Sequence, residues 1–172
     1  MINFITALVV ILCVFICWTY GFFMYLKYTQ RLLWDTLYAQ LKQKFVLLSD
    51  LVFTVREINL EETDIYKNLT DGLGAFISSK TPAETSAAYA KAQTALARLD
   101  GSLKKYPSVL NGADYIKIKG EMLKIDEKIG FSSKFYDEGA IKFNAYIRKM
   151  PFAAVAAIFN IKKRSGFNAG IN

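Results

Sequence analysis

The sequence contains no histidine, and its two cysteines, Cys13 and Cys17, both lie in one apolar segment near the start. The remainder of the chain therefore has no side chain that could form a disulfide. Zinc sites, haem sites and histidine-dependent nucleophilic catalysis lose their usual ligands and bases. We therefore expect a protein that is not an enzyme and that binds neither a metal nor another cofactor.

The most informative segment is the run from Ile2 to Leu26, which carries no charged side chain. As a helix rising about 1.5 Å per residue it would be about 37 Å long, enough to cross a hydrocarbon core of about 30 Å with some tilt. Three aromatic residues of the kind favoured at membrane–water boundaries lie towards its end: Trp18, Tyr20 and Tyr25. Lys27 and Arg31 then close the run. The sequence therefore predicts a single membrane-spanning helix over residues 1–26.

A cleaved secretory signal is the alternative interpretation of the same run. Such signals begin with a positively charged region and have an apolar core of about 7–15 residues. Here no Lys or Arg precedes the run, and the run is longer than such a core. We therefore favour an anchor that stays in the mature protein.

The rest of the chain repeats apolar residues at three- and four-residue spacing, which is typical of long packed helices. Thr81-Pro82-Ala83-Glu84 has the residues of a helix start, with Thr as the N-cap and Pro at the first helical position. Prolines and caps together divide the chain into four predicted helices, at about 27–58, 61–78, 82–106 and 115–150. The first of these continues directly from the membrane span.

Short connections between such helices make neighbours antiparallel. The predicted fold is therefore all-α, with an N-terminal transmembrane helix that continues into an antiparallel four-helix bundle with long helices and coiled-coil-like packing. The domains are the anchor (1–26), the bundle (27–150) and the C-terminal tail (151–172). Ser132 and Gly139 interrupt the apolar stripe of the last helix, and we expect these small residues to let a neighbouring helix approach closely.

The C-terminal tail is first apolar and then basic. Residues 151–159 are too few to span a membrane, and Lys162, Lys163 and Arg164 follow them. The predicted helix lengths return the chain to the membrane end of the bundle, where such a segment can lie in the interface with its cations on anionic headgroups. The alternative is a tail packed on the base of the bundle with its lysines in water.

Several segments, in this order, resemble the LemA family of bacterial membrane proteins: Leu33-Trp34-Asp35, Leu48-Ser49-Asp50-Leu51-Val52, Tyr106-Pro107, Phe135-Tyr136-Asp137-Glu138-Gly139-Ala140-Ile141-Lys142-Phe143-Asn144 and Pro151. The resemblance implies an N-terminal anchor followed by an antiparallel helical bundle. It also implies a bacterial protein, whose membrane would be the inner membrane of the cell. It implies no particular chemistry, because the family has no agreed biochemical activity.

Asn144 is the most specific polar residue in the matching segments. We predict that it makes a hydrogen bond between helices and so fixes their register, as a buried Asn does in coiled coils. A ligand contact and a solvated position are the alternatives. Tyr106 and Tyr136 are expected to cap the core with their hydroxyls at its rim. The predicted structural or interaction residues are Tyr106, Pro107, Tyr136, Gly139, Asn144 and Pro151, and the predicted membrane-surface residues are Lys162, Lys163 and Arg164.

The adjacent carboxylates Asp126-Glu127 and Asp137-Glu138 could indicate acid–base catalysis. Neighbours on a helix point about 100° apart rather than at one substrate, so we do not expect this role. Residues 101–172 carry thirteen basic and six acidic side chains. Because the two signs are interleaved, no continuous positive stripe forms, and we expect no nucleic-acid binding.

The leading hypothesis is a membrane-anchored helical scaffold that presents its outer faces to partner proteins, which the sequence does not identify. Self-association stays open. The alternative is a membrane-tethered sensor or small-ligand-binding bundle, which would show a polar-lined cavity near Ser132, Gly139 and Asn144. Four cations follow the span and favour a cytoplasmic bundle: Lys27, Arg31, Lys42 and Lys44.

Overall fold

One uninterrupted helix, α1 (Ile2–Arg56), contains the whole apolar run and continues into the bundle. The computed structural model describes residues 2–56 and 63–167, and these ranges contain helices and no strands. Within them, α1 is the one helix that is long and apolar enough to be a candidate membrane span. The predicted continuity of the apolar run with the first bundle helix is therefore confirmed, and the predicted residues 57–58 lie outside the described residues.

Five further helices follow: α2 (Thr63–Ser78), α3 (Pro82–Leu103), α4 (Pro107–Leu110), α5 (Ala113–Arg148) and α6 (Phe152–Ile158). The start of α3 is capped as predicted. The Thr81 hydroxyl accepts a hydrogen bond from the Glu84 backbone N–H at 3.2 Å, and the Glu84 carboxylate accepts one from the Lys80 N–H at 2.7 Å. The short helices α4 and α6 were not predicted, and residues 61–62 of the predicted second helix lie outside the described residues.

The four long helices share one apolar core. The rings of Trp34 on α1 and Tyr136 on α5 lie 5.4 Å apart, and the antiparallel course of the two helices also brings Phe23 beside Phe143. Residues that are almost fully buried come from all four helices: Leu37, Leu41, Leu48, Leu69, Leu99, Leu103, Met122 and Ile129. The predicted all-α fold class is confirmed.

Gly139 lies on the face of α5 that packs against α1, where side chains of α1 fill the space of the missing Cβ. A Cβ placed on Gly139 would overlap the side-chain amide of Gln30, and it would lie 3.3 Å from Leu33 Cδ1. Ser132, in contrast, is only half-buried, and the buried small residues on this part of α5 are Ser133 and Ala140.

We expect Gly139→Val to destabilise the full chain by about 1–3 kcal/mol, because the added methyl groups overpack the contact with α1. Urea unfolding of the purified chain in detergent, followed by circular dichroism, measures this effect. Gly130→Val is the matched control on the same helix, since a Cβ there meets nothing within 4 Å. It should change the free energy of unfolding by about 0.5 kcal/mol or less. Equal effects of the two substitutions would contradict this contact.

A second, smaller core forms where α5 and α6 pack against the apolar part of α1. Its buried residues are Phe23, Phe143, Ala156 and Ile161. After α6 the chain reverses at Asn160, which has a left-handed φ of 48°. The Ile161 N–H bonds the Ala156 carbonyl at 2.9 Å and the Asn160 N–H bonds the Ala157 carbonyl at 3.2 Å. This is the hydrogen-bond pattern of a Schellman C-cap, in which Asn tolerates the left-handed position.

Candidate functional site

Residues 161–167, which we call the returning tail, run back along α5 towards the middle of the bundle. Asn144 fixes this course, because its side chain donates to the Arg164 carbonyl and accepts from the Arg164 N–H, both at 2.8 Å. The partner of Asn144 is therefore the tail. The predicted hydrogen bond between two helices is wrong, because the returning tail, which is not helical, occupies the position beside Asn144.

The returning tail ends in the main core. Phe167 is fully buried, and its ring lies 6.2 Å from that of Trp34 and 6.1 Å from that of Tyr89. Its backbone N–H donates to Asp137 Oδ1 at 2.5 Å. The Tyr136 hydroxyl donates to the Ser165 carbonyl at 3.2 Å. The Tyr136 ring lies in the core as predicted, but its hydroxyl is engaged by the tail.

A cavity lies between α1, α5 and the returning tail, next to the smaller core on the side of the main core. Its volume is about 410 Å³. We call it the cationic pocket, and it is lined by Met24, Lys27, Tyr28, Gln30, Arg31 and Trp34 of α1, Pro82 at the start of α3, Tyr136 of α5 and Arg164 of the tail. The pocket therefore begins at the level where the uncharged run of α1 ends.

Three positive charges from two distant parts of the sequence meet in this pocket. Lys27 and Arg31 are one turn apart on α1, and the fold brings Arg164 to them. The Arg164 guanidinium also lies 5.9 Å from the centre of the Phe143 ring, in a cation–π contact. Of the predicted membrane-surface triplet, only Arg164 lines the pocket, whereas Lys162 and Lys163 are exposed outside it.

Gln30 is the unusual polar residue of the pocket. Its side chain is almost fully buried, at 4% exposure, and its Oε1 has no hydrogen-bond partner. The amide occupies the space that the missing Cβ of Gly139 leaves free. Buried polar atoms in folded proteins nearly always have a partner, so a buried acceptor without one calls for an explanation.

The order of these segments agrees with one known family. The family model described as the LemA family matches residues 33–172, which include most of the bundle and the returning tail. The chain belongs to the LemA family. The resemblance predicted from the sequence is thereby confirmed. A comparison with curated proteins finds no match.

The LemA-family bundle also contains a buried ion pair that the sequence analysis missed. The Lys44 ammonium on α1 pairs with Asp126 on α5, and it lies 4.8 Å from the ring centre of Tyr89 on α3. The Tyr89 hydroxyl donates to Asp126 at 3.1 Å and accepts from Gln93 at 2.9 Å. Burial lowers the pKa of Lys44, although Asp126 opposes that shift, and burial together with Asp126 raises the pKa of Tyr89.

A sequence signal for this pair exists. Lys44 stands at a heptad position within the buried series Leu37, Leu41, Leu48 and Leu51, and Asp126 stands seven residues before the buried Ser133. Charged residues at core positions of two helices are expected to face one another, because each needs a partner when buried.

A second polar cluster of the LemA-family chain joins α3 to the first turns of α5. The Asp100 carboxylate accepts from the Tyr115 hydroxyl at 3.1 Å and pairs with the Lys119 ammonium at 2.6 Å. Burial raises the pKa of Tyr115 to about 12, and the Asp100 charge adds to this shift.

The raised pKa of Tyr115 predicts an alkaline loss of stability. Tyrosine in the unfolded chain has a pKa of about 10, whereas Tyr115 in the folded chain keeps its proton to higher pH. Above about pH 10 the unfolded chain therefore releases this proton and the folded chain does not, so the free energy of unfolding falls. Tyr115→Phe removes one such proton and should reduce the slope of this fall between about pH 10 and 12. Urea unfolding of the full chain across this range measures the slope. A slope equal to that of the unsubstituted chain would contradict the prediction.

The remaining predicted residues of this LemA-family chain have local structural roles. Tyr106 is half-buried between α3 and α4, and Pro107 takes the first helical position of α4. Pro151 precedes α6. Across residues 2–56 and 63–167, no three His, Cys, Asp or Glu side chains cluster in a way that could hold a metal ion.

Proposed function

We propose that this LemA-family chain is a single-pass membrane protein without enzymatic activity, whose bundle is fixed at the membrane surface and presents its outer faces to partner proteins. The observation that carries the proposal is the packing of the apolar run against the segment around α6. Trp18 lies beside Phe152, Tyr20 lies 4.6 Å from Phe159, and Phe23 is fully buried beside Phe143 of α5. Removal of the run up to Gly21 as a cleaved signal would take away the contacts of Trp18 and Tyr20.

The first part of α1 supports anchoring in another way. Its apolar side chains between residues 4 and 14 are largely exposed, for example Val10, Ile11 and Val14 at 61%, 67% and 64%. A contiguous exposed apolar surface of this kind is unfavourable in water and favourable in lipid. The helix also satisfies its own backbone hydrogen bonds, as a lipid environment requires.

The segment around α6 supports contact of the tail with the membrane. The Phe152 ring lies beside Trp18 and the Phe159 ring lies 4.6 Å from Tyr20, so α6 stands level with the aromatic end of the run. The outward residue Ile158 is 68% exposed. In this proposal the tail packs on the bundle base with one side and meets lipid with the other.

The outer face of α5 supports a role in protein interaction. It carries apolar side chains that are more than half exposed: Leu123, Phe131, Phe135 and Ile141. Exposed apolar surface of this extent on a folded domain often marks a binding face. Serine at Phe131 and Phe135 should reduce crosslinking to partner proteins or to a second copy, and unchanged crosslinking would count against this face.

The proposed location is the inner membrane of a bacterial cell, with the bundle on the cytoplasmic side. Lys27 and Arg31 follow the run directly. An excess of Lys and Arg on one side favours that side for the cytoplasm. Labelling of an introduced exposed cysteine at Lys42 with a membrane-impermeant reagent, in intact and in opened cells, tests the side.

The experiment that tests the anchoring is alkaline carbonate extraction of membranes, followed by intact-mass measurement of the full chain. We expect the protein to stay in the membrane pellet until detergent is added, with the apolar run still present. A shortened protein that begins beyond Gly21 and stays in the aqueous supernatant would overturn the proposal.

The cationic pocket favours a second candidate function, the membrane-tethered ligand-binding bundle. The alternative hypothesis requires a polar-lined cavity near Ser132, Gly139 and Asn144. The pocket meets this description in part, since Gln30 occupies the space at Gly139 and Asn144 holds the backbone of Arg164.

A further inference from the structure

We propose that the cationic pocket binds an anionic phospholipid headgroup, in the form of a phosphodiester whose substituent carries a hydroxyl, as in phosphatidylglycerol. This inference rests on the proposed membrane anchoring and gives the pocket its ligand class. The pocket is built from α1, α5 and the returning tail together, so it exists only in the folded chain.

The first argument is the level at which the pocket lies. Among its lining residues on α1, Met24 belongs to the uncharged run, whereas Lys27 and Arg31 lie in the turn and a half that follows the end of the run. If the run spans a bilayer, this is the depth at which acyl chains give way to headgroup phosphates. A lipid in the surrounding leaflet can therefore place its phosphate in the pocket without leaving the membrane.

The second argument is charge. Three cations line the pocket: Lys27, Arg31 and Arg164. Guanidinium groups match the geometry of phosphate oxygens and bind them with two parallel hydrogen bonds. A zwitterionic headgroup would bring its own cation against three others, so the site favours an anionic lipid.

The third argument is the unpartnered acceptor. Gln30 lines the pocket, is 4% exposed and leaves its Oε1 without a partner. A phosphate has no hydrogen to donate when it is a diester anion, so the donor must come from its substituent. A hydroxyl supplies such a donor and remains uncharged among three cations. Because Gln30 Oε1 is buried, the contact requires the Gln30 side chain to turn from Gly139 towards the pocket.

The fourth argument is that the pocket is formed before any ligand arrives. The Asn144 side chain bonds both the N–H and the carbonyl of Arg164. The Tyr136 hydroxyl donates to the Ser165 carbonyl, so that the Tyr136 ring faces the pocket as an apolar wall. The volume of about 410 Å³ lies within the range of small-molecule pockets, about 300–1,000 Å³. Preorganised groups bind with a smaller loss of side-chain entropy.

The test uses the full chain in nanodiscs of phosphatidylcholine with a graded fraction of phosphatidylglycerol, and counts retained phosphatidylglycerol by native mass spectrometry. Arg31→Gln combined with Arg164→Gln should weaken retention about a hundredfold, because two charge-assisted hydrogen-bonding groups are lost. Lys162→Gln combined with Lys163→Gln is the matched control. It removes the same number of charges at exposed positions outside the pocket, where cations attract headgroups only diffusely, and should weaken retention about fivefold or less.

A second variant tests the contact between Gln30 and the headgroup hydroxyl. Gln30→Leu should lower the preference for phosphatidylglycerol over phosphatidylmethanol, an anionic diester without a hydroxyl, by about tenfold. Equal loss of retention in both double variants would overturn the pocket in favour of general surface attraction. An unchanged preference in Gln30→Leu would overturn the hydroxyl contact.

Soluble ligands form a separate arm of the experiment. Glycerol phosphate and inorganic phosphate are added to the detergent-solubilised chain, and tight binding of either, without competition from the lipid, would overturn the headgroup source. Failure of the anchoring is recognised differently, because a chain without a retained span would not enter nanodiscs at all. Entry into nanodiscs with no selective retention would overturn the pocket proposal alone.

Discussion

Asp126→Ala should destabilise the bundle by about 3–5 kcal/mol, because it leaves the ammonium of Lys44 buried without a counter-charge. The side chain of Lys44 is only 5% exposed, whereas that of Asp126 is 29% exposed, so the ammonium is the buried member of the pair. The Tyr89 hydroxyl loses its acceptor at the same time. The expected result is a fall of this size in the free energy of urea unfolding, measured on the full chain in detergent.

The neighbouring carboxylate gives the control for this prediction. Glu127 is exposed, and Glu127→Ala should change stability by about 0.5 kcal/mol or less. The double variant Lys44→Met with Asp126→Leu should recover most of the loss, because packed apolar residues replace the pair without a buried charge. Similar values for Asp126→Ala and Glu127→Ala would contradict a structural role of the ion pair.

Phe167→Ala should cost about 3–5 kcal/mol, because it empties a fully buried aromatic site in the main core. The loss also releases the end of the returning tail, since the ring contacts to Trp34 and Tyr89 disappear. We therefore expect two effects that can be measured separately. The free energy of unfolding falls, and trypsin cleaves the folded chain faster after Lys162 and Lys163.

An exposed phenylalanine on the adjacent helix distinguishes this effect from a general loss of apolar area. Phe135 is 58% exposed, and Phe135→Ala should change stability by about 1 kcal/mol or less and leave trypsin cleavage of the tail unchanged. If Phe167→Ala behaved like this control, the tail would not be part of the core.

The features that the sequence predicted correctly depend on local chemistry. The uninterrupted apolar run predicts a long helix, and Thr81 with Pro82 predicts the start of α3. In each case the residues that determine the structure lie within a few turns of one another.

The features that were missed or wrong depend on contacts between distant residues. Lys44 and Asp126 are separated by 82 residues, and only their shared heptad register indicates that they meet. Asn144 pairs with a backbone 20 residues later because the chain reverses at Asn160, which spacing along α5 does not reveal. The helical form of the segment that holds Phe152 was missed because seven residues are too few for a periodic pattern.

The cationic pocket could not be predicted as a site. Lys27 and Arg31 are ordinary cations at the end of a span, and Arg164 is part of a basic triplet. The reversal after α6 brings them together, while Asn144 selects which residue of the triplet lines the cavity. The sequence therefore contains the charges of the site and their chemistry, and the tertiary fold determines which of them meet.

The central claim, that the apolar part of α1 lies in lipid with α6 beside it at the interface, is tested most directly by depth measurement. Nitroxide labels on cysteines introduced at Leu12, Ile158 and Leu123, in a full chain with alanine at Cys13 and Cys17, report access to oxygen in the bilayer and to a polar relaxation agent in water. The account predicts deep burial in lipid at Leu12, an intermediate depth just below the headgroups at Ile158 and water at Leu123. Equal access of the polar agent to all three labels would contradict it.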